Sequence, residues 1–247
     1  MYFSNPVATL NASAVSLLVE SRYEEANGPL EEALAMLRGL VANHLGGSQP
    51  NVVQQPPKNF AVAPAVASSS SLLDSICIPK SPYSAASSGE DGAILFFNRA
   101  FWIHGDFLAT TPNGEIMAAL DVLCAATVYN MGLAHHLQAI QDGCTDLMEQ
   151  ALKMYQMATS ILMKNDGGVA TTGTSLAALT LALLNNMAHI HERMRHGAPT
   201  CACLELMRTV AQSAALEPWH IKDEDAEFFC HTLLLTPSWV VGSAPAA

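Results

Sequence analysis

Two long Ala/Leu-rich runs in the second half of the chain carry nearly the same phrase. The first is Tyr129-Asn130-Met131-Gly132-Leu133-Ala134-His135-His136, and the second is Asn185-Asn186-Met187-Ala188-His189-Ile190-His191. Each lies in a stretch too long and too regularly apolar for a strand, so each reads as a helix. Each is followed by a short polar break and a second helical run. The first runs from Thr111-Pro112 to about Gln141 and stops at Asp142-Gly143. The second spans Thr145 to Lys164 and ends at Asn165-Asp166-Gly167-Gly168. The third spans about Thr174 to His196 and ends at Gly197. The fourth spans Ala198 or Pro199 to Leu216, and Pro218 follows. Gly at a helix end and Pro beyond it are stop signals. Short connections make consecutive helices antiparallel neighbours, so the body must be built of helix pairs.

Around this body the text changes character. Residues 1–45 form a helical segment. Ala12 to Tyr23 has a weak helical pattern, and Ala33, Leu37, Leu40 and Leu45 recur at helical spacing behind Pro29, which suits a first turn. Residues 46–92 are rich in Ser, Pro, Ala and Gly, too poor in large apolar groups to offset their ordering entropy, and read as a disordered insertion. Within them the apolar island Leu72 to Ile78 has the look of a docking motif. The main domain is 93–236, and 237–247 is a disordered tail. "ILFFNRAFWIH" predicts a strand over Ile94–Ile103. Phe228–Leu235, "FFCHTLLL", is expected to pair with it as a two-stranded ribbon, the alternative being a short helix after Asp223-Glu224-Asp225.

The chain has 247 residues, half of them hydrophobic and only 13% charged, with a formal charge of −11. That balance argues against nucleic acid and against an anionic membrane surface, since both need clustered Lys and Arg. None of the six cysteines forms a C-x-x-C, which fits reduced, mostly buried thiols. The N-terminus lacks a basic start and a clean apolar run, and the most apolar helical stretch, Ser175–Leu184, is too short to span a bilayer. The expectation is an intracellular, cytoplasmic protein. Asn11-Ala12-Ser13 matches a glycosylation acceptor, a tripeptide that occurs by chance.

The two phrases overlay at an offset of 56 residues: Asn130 on Asn186, Met131 on Met187, Gly132 on Ala188, His135 on His191. The helices that follow carry Ala151, Tyr155 and Ala158 in one and Ala202, Leu206 and Thr209 in the other, each at i, i+4, i+7 on one face. This pattern resembles the tetratricopeptide repeat, whose first helix carries Asn-Leu-Gly-x-x-Tyr and whose second carries Ala-x-x-x-Tyr/Phe-x-x-Ala. The family's unit is about 34 residues, so the connections here are stretched. The resemblance covers roughly Leu120 to Ala215, with a degenerate pair in Ala12–Leu45. "YN-x-G/A-LAHH", "LLNNM-x-HIH" and "NRAF" are similar to phrases in tetratricopeptide-like proteins of single-celled algae, a likeness that carries no known activity. The resemblance implies a mainly α fold, an irregular stack of antiparallel helix pairs. It implies that Gly132, His135, Ala151, Tyr155, Ala158, Ala188, His191, Ala202 and Leu206 pack the units together. It also implies that Asn130 and Asn186, with Leu133 and His189, line a groove where an Asn can hydrogen-bond a bound peptide's backbone. Both Asn residues could instead bridge neighbouring turns within the stack. The positions at which some members clamp an acidic tail are Tyr129, Leu133, Asn185 and His189 here, and an acidic peptide is disfavoured.

Other chemistry is thin. Adjacent or i+2 histidines point about 100° or 200° apart on a helix, so neither His135-His136 nor His189-x-His191 chelates alone. "NDGGVATTGTS" lacks the Lys of a phosphate-binding loop. No nucleophile stands beside a base. The expected function is a non-catalytic scaffold that binds a protein or peptide partner, with no cofactor and no metal. The alternatives are self-assembly as a homo-oligomer and a histidine-based metal protein or enzyme.

Overall fold

The structure is a computed structural model, and it describes residues 5–46, 72–78, 94–105, 111, 115–163, 174–215 and 222–235. Helix α1 (Pro6–Val19) starts where the Asn5 side chain accepts the Val7 N–H at 3.1 Å, with Pro6 supplying a preset first turn. The chain reverses at Ser21, whose φ of 63° is left-handed, and α2 (Tyr23–Gly46) returns against α1. The turn expected at Pro29 therefore falls before Tyr23, and Pro29 lies inside α2. Helix α3 (Ile116–Asp142) closes at Gly143, whose φ of 65° frees its N–H to reach the Ala139 carbonyl. Then follow α4 (Thr145–Met163), α5 (Thr174–Arg193), α6 (Gly197–Ala215) and α7 (Asp223–Leu235).

The fold is mainly α, an irregular stack of helix pairs with a small two-stranded sheet. The pairs are α1/α2, α3/α4 and α5/α6; α2 packs on α3, α4 on α5, and α7 touches α5 and α6. One core of Leu, Ala, Val and aromatic side chains runs through all three pairs.

The sheet is antiparallel. Strand β1 (Leu73–Cys77) pairs with β2 (Arg99–Ile103), with Ser75 opposite Phe101. The expected partner, Phe228–Leu235, is helical. Asp223, Glu224 and Asp225 in its first turn suit a helix N-terminus, and Asp225, Phe229 and Thr232 are buried at a helical spacing. Strand β1 comes from the apolar island, so this part of 46–92 belongs to the fold; residues 47–71 and 79–92, the residues of "NDGGVATTGTS" that precede Thr174, and the tail 237–247 lie outside the described residues. Helix α3 is long and apolar enough, by length and composition, to cross a bilayer, yet 72% of its apolar stretch is buried against the other elements. It is a core helix by its burial.

Candidate functional site

The inner faces of α1, α3 and α5 hold one extended segment, Ile94 to His104, which we call the arm. One edge of it is held by helix side chains rather than by another strand. Asn130 on α3 gives both amide atoms to Phe101: Oδ1 accepts its N–H at 2.9 Å and Nδ2 donates to its carbonyl at 2.7 Å. Asn186 on α5 does the same to Phe97, both at 3.1 Å. Asn11 on α1 accepts the Ile103 N–H at 2.9 Å, and Asn185 donates to the Leu95 carbonyl at 2.8 Å. The Tyr129 hydroxyl donates to the Arg99 carbonyl at 3.0 Å. Residues 95, 97, 99, 101 and 103 thus turn their main chain toward the helices, as the period of two in an extended chain requires. The even residues from 98 to 104 face β1: the Ile78 N–H donates to the Asn98 carbonyl at 3.0 Å, and the His104 N–H donates to the Leu72 carbonyl at 3.3 Å. The Ile94 N–H donates to the Glu192 carboxylate at 2.8 Å.

The four Asn side chains are fully buried. Asn130 and Asn186 are tolerated there because both of their polar atoms meet main-chain groups that would otherwise go unpaired, whereas Asn11 Nδ2 and Asn185 Oδ1 have no hydrogen-bond partner among the described residues. The arm's own anchors are aromatic. Phe97 stacks on Phe229 with centroids 4.8 Å apart, Phe101 meets the Tyr129 ring edge-on at 5.1 Å, and Phe96 lies 4.3 Å from the His136 ring and 5.4 Å from that of His189. At the α7 end, Arg99 pairs with Glu224 and the buried Asp225, each at 3.1 Å. The Ser75 hydroxyl donates to Asp225, and Lys222 reaches the Ser75 carbonyl at 3.1 Å. These contacts tie the ribbon to α7.

Behind the arm runs a closed polar chain. His189 Nδ1 and His136 Nε2 are 3.1 Å apart, and His136 Nδ1 lies 3.3 Å from the Tyr155 hydroxyl. Asn186 Nδ2 lies 3.3 Å from that hydroxyl and 3.1 Å from the Tyr129 hydroxyl. Burial, with His189 and Arg193 nearby, pushes the His136 imidazolium well below the usual range. Burial, with Arg193 nearby, pushes His189 down to about 3. Both rings are therefore neutral at pH 7, one donating to the other. Burial also pushes the Tyr129 and Tyr155 phenols up. These groups hold hydrogen bonds and do not ionise near neutral pH.

The four residues expected to line a groove, Asn130, Leu133, Asn186 and His189, are all buried, and Asn130, Asn186 and His189 touch the arm. The backbone that the two Asn residues bond is the chain's own. Of the expected packing residues, Gly132, Ala151, Tyr155, Ala158 and Ala188 are buried. A Cβ on Gly132 would stand 2.8 Å from Tyr155 Cε1, so glycine is what allows α3 to approach α4. Two expectations are corrected. His135 and His191 are only half-buried, and the packed pair is His136 and His189, which face each other across the stack. Ala202, Leu206 and Thr209 are exposed, Leu206 by 48%; the buried face of α6 carries Cys203, Leu204 and Met207, one residue out of register.

Sequence reasoning missed Asn11, Asn185, Tyr129 and His136. Asn11 had a signal: it interrupts the apolar stripe Val7, Ala14, Val15 and Leu18. Asn11-Ala12-Ser13 also repeats the Asn-x-small pattern of Asn130-Met131-Gly132 and Asn186-Met187-Ala188. The acceptor tripeptide is thus buried at its Asn. Among the described residues, no three His, Cys, Asp or Glu side chains are grouped to hold a metal. No family model, no curated protein and no solved structure matches the chain.

Proposed function

We propose that the protein is a tetratricopeptide-like interaction scaffold, without catalysis, whose groove grips an extended segment through its main chain. One observation carries this reading: four buried Asn side chains, from the first helices of three pairs, bond the arm almost entirely through N–H and C=O groups. A clamp of this kind accepts any extended chain whose side chains fit, and leaves selectivity to the aromatic contacts. In this form the arm occupies it, and a partner peptide or helix-flanking strand acts by taking the arm's place. The buried tyrosines and histidines support a holding role, since none is poised to transfer a proton at neutral pH.

The test is capture from native cell extract with wild type and Phe97→Leu as baits. The substitution trims the ring stacked on Phe229 without emptying its site. Partners captured more strongly by Phe97→Leu, and displaced by a synthetic peptide of residues 93–104 but not by its scrambled form, are the expected result. Partner sets that ignore both the substitution and the peptide would sink the reading.

A further inference from the structure

We infer that the groove also accepts the arm of a second copy of this chain, giving an arm-exchanged dimer. The inference rests on the backbone-gripping groove just proposed and names its occupant. Among the described residues, the segment that fits this groove is the arm itself. Its complementarity has three parts: the Asn contacts to Leu95, Phe97, Phe101 and Ile103, the ring contacts of Phe96, Phe97 and Phe101, and the Arg99 pairs to Glu224 and Asp225.

None of these contacts depends on the arm and the groove sharing a chain. Asn11 is 92 residues from Ile103, Asn186 is 89 from Phe97 and Asn185 is 90 from Leu95, so the clamp is tertiary throughout. The same bonds form in trans at no loss of geometry, which is the condition for exchange of an identical element between protomers. The arm's second edge is zipped to β1, so the unit that exchanges is the ribbon β1–β2, with Ser75 and Asp74 carrying their contacts to Asp225 and Lys222 of the receiving copy. Within one chain the tether favours the closed form through its high effective concentration. Exchange therefore follows unfolding and refolding at high protein concentration, not simple mixing of folded monomers.

The test uses full-length purified protein only. A groove-damaged copy, Tyr129→Ala, and an arm-damaged copy, Phe101→Ala, each lose the same ring contact. Refolded together, the intact arm of the first seats in the intact groove of the second, and the two damaged parts meet in the other half. Losses in one interaction do not add, so the mixed dimer is favoured. The expected result in native mass spectrometry is a heterodimer roughly tenfold above either homodimer, about 1.4 kcal/mol of preference, with a thermal midpoint above that of either variant alone. Should either variant fail to fold, wild type and isotope-labelled wild type refolded together decide the matter: dimers of mixed mass that grow with concentration support exchange. Monomers alone in both experiments overturn it. An extract partner displaced by the arm peptide, found beside strictly monomeric purified protein, keeps the scaffold and removes the exchange.

Discussion

Asn130 and Asn186 stand at equivalent places on α3 and α5, and each gives both amide atoms to one residue of the arm. Their surroundings differ. Beside Asn130 the packing is close: Gly132 lets the Tyr155 ring in to within contact of its backbone. The surroundings of Asn186 are rich in polar atoms, because Asn185, Tyr129 and Tyr155 all lie within hydrogen-bond reach of it. Ala188 stands where Gly132 does, and the buried residue of α6 is Met207, one residue away from the overlay of Leu206 on Tyr155. The two copies therefore share the main-chain contact and have drifted apart in how their helices meet. Tyr155 joins them, with its ring under Gly132 of its own pair and its hydroxyl toward Asn186 of the next.

The comparison can be broken most sharply at the two amides. Asn130→Ala leaves the Phe101 N–H and carbonyl buried and unpaired, about 2–6 kcal/mol at 1–3 per group. Asn186→Ala strands the Phe97 N–H, leaves its carbonyl only the Tyr129 hydroxyl at 3.5 Å, and also unpairs part of the Tyr129–Tyr155 network, so its loss by chemical denaturation is expected to be the larger. Equal losses would mean that the network contributes nothing.

The next effect is acidification. His136 and His189 have folded-state values lowered from an ordinary 6.5, His189 to about 3. The unfolded chain binds protons first as pH falls, so stability is present above pH 6.5 and drains below it. Between pH 7 and 5 two such groups lose up to about 4 kcal/mol. Thermal midpoints measured across that range should fall, and fall less in His136→Gln/His189→Gln. An unchanged slope in the double variant would remove the pair as the cause.

The corrected register of α6 predicts a smaller, opposed pair: Met207→Ala costs about 2–3 kcal/mol, while Leu206→Ala costs under about 1. Reversal of that order, read from urea midpoints, would restore the simple overlay. Last comes the glycine. Gly132→Ala drives a methyl into the Tyr155 ring and costs about 1–2 kcal/mol after the gain in helix propensity, whereas Ala188→Gly loses only that propensity, about 1 kcal/mol. A stabilising Gly132→Ala would show that the α3–α4 approach is not set by Gly132.

The helices were legible because Ala/Leu runs and the Gly143 stop act locally; α3 to α6 begin and end within a few residues of where the sequence puts them, although Gly197 starts α6 rather than ending α5. The arm was legible as a strand from its alternation. Its partner was not, because Leu73–Cys77 sits in Ser/Pro-rich text and pairing is decided by what else covers the strand. "FFCHTLLL" has the composition of a strand, but three acidic residues before it favour a helix start. The Asn phrases pointed to main-chain recognition, yet nothing local says whose main chain is bound. The histidines were misplaced by following the overlay of phrases instead of the helical face: Tyr129, Leu133 and His136 form one stripe at i, i+4, i+7, and His135 lies off it.

The most direct test of the clamp is native-state amide hydrogen exchange at Phe97, Phe101 and Ile103, resolved by NMR. Their N–H groups bond the side chains of Asn186, Asn130 and Asn11 rather than a neighbouring strand. Protection at all three far above that of an open loop, with the three opening together, is the predicted result. Exchange of all three at the rate of an open loop while α3 stays protected would contradict it, since the Asn clamp would then not hold the arm.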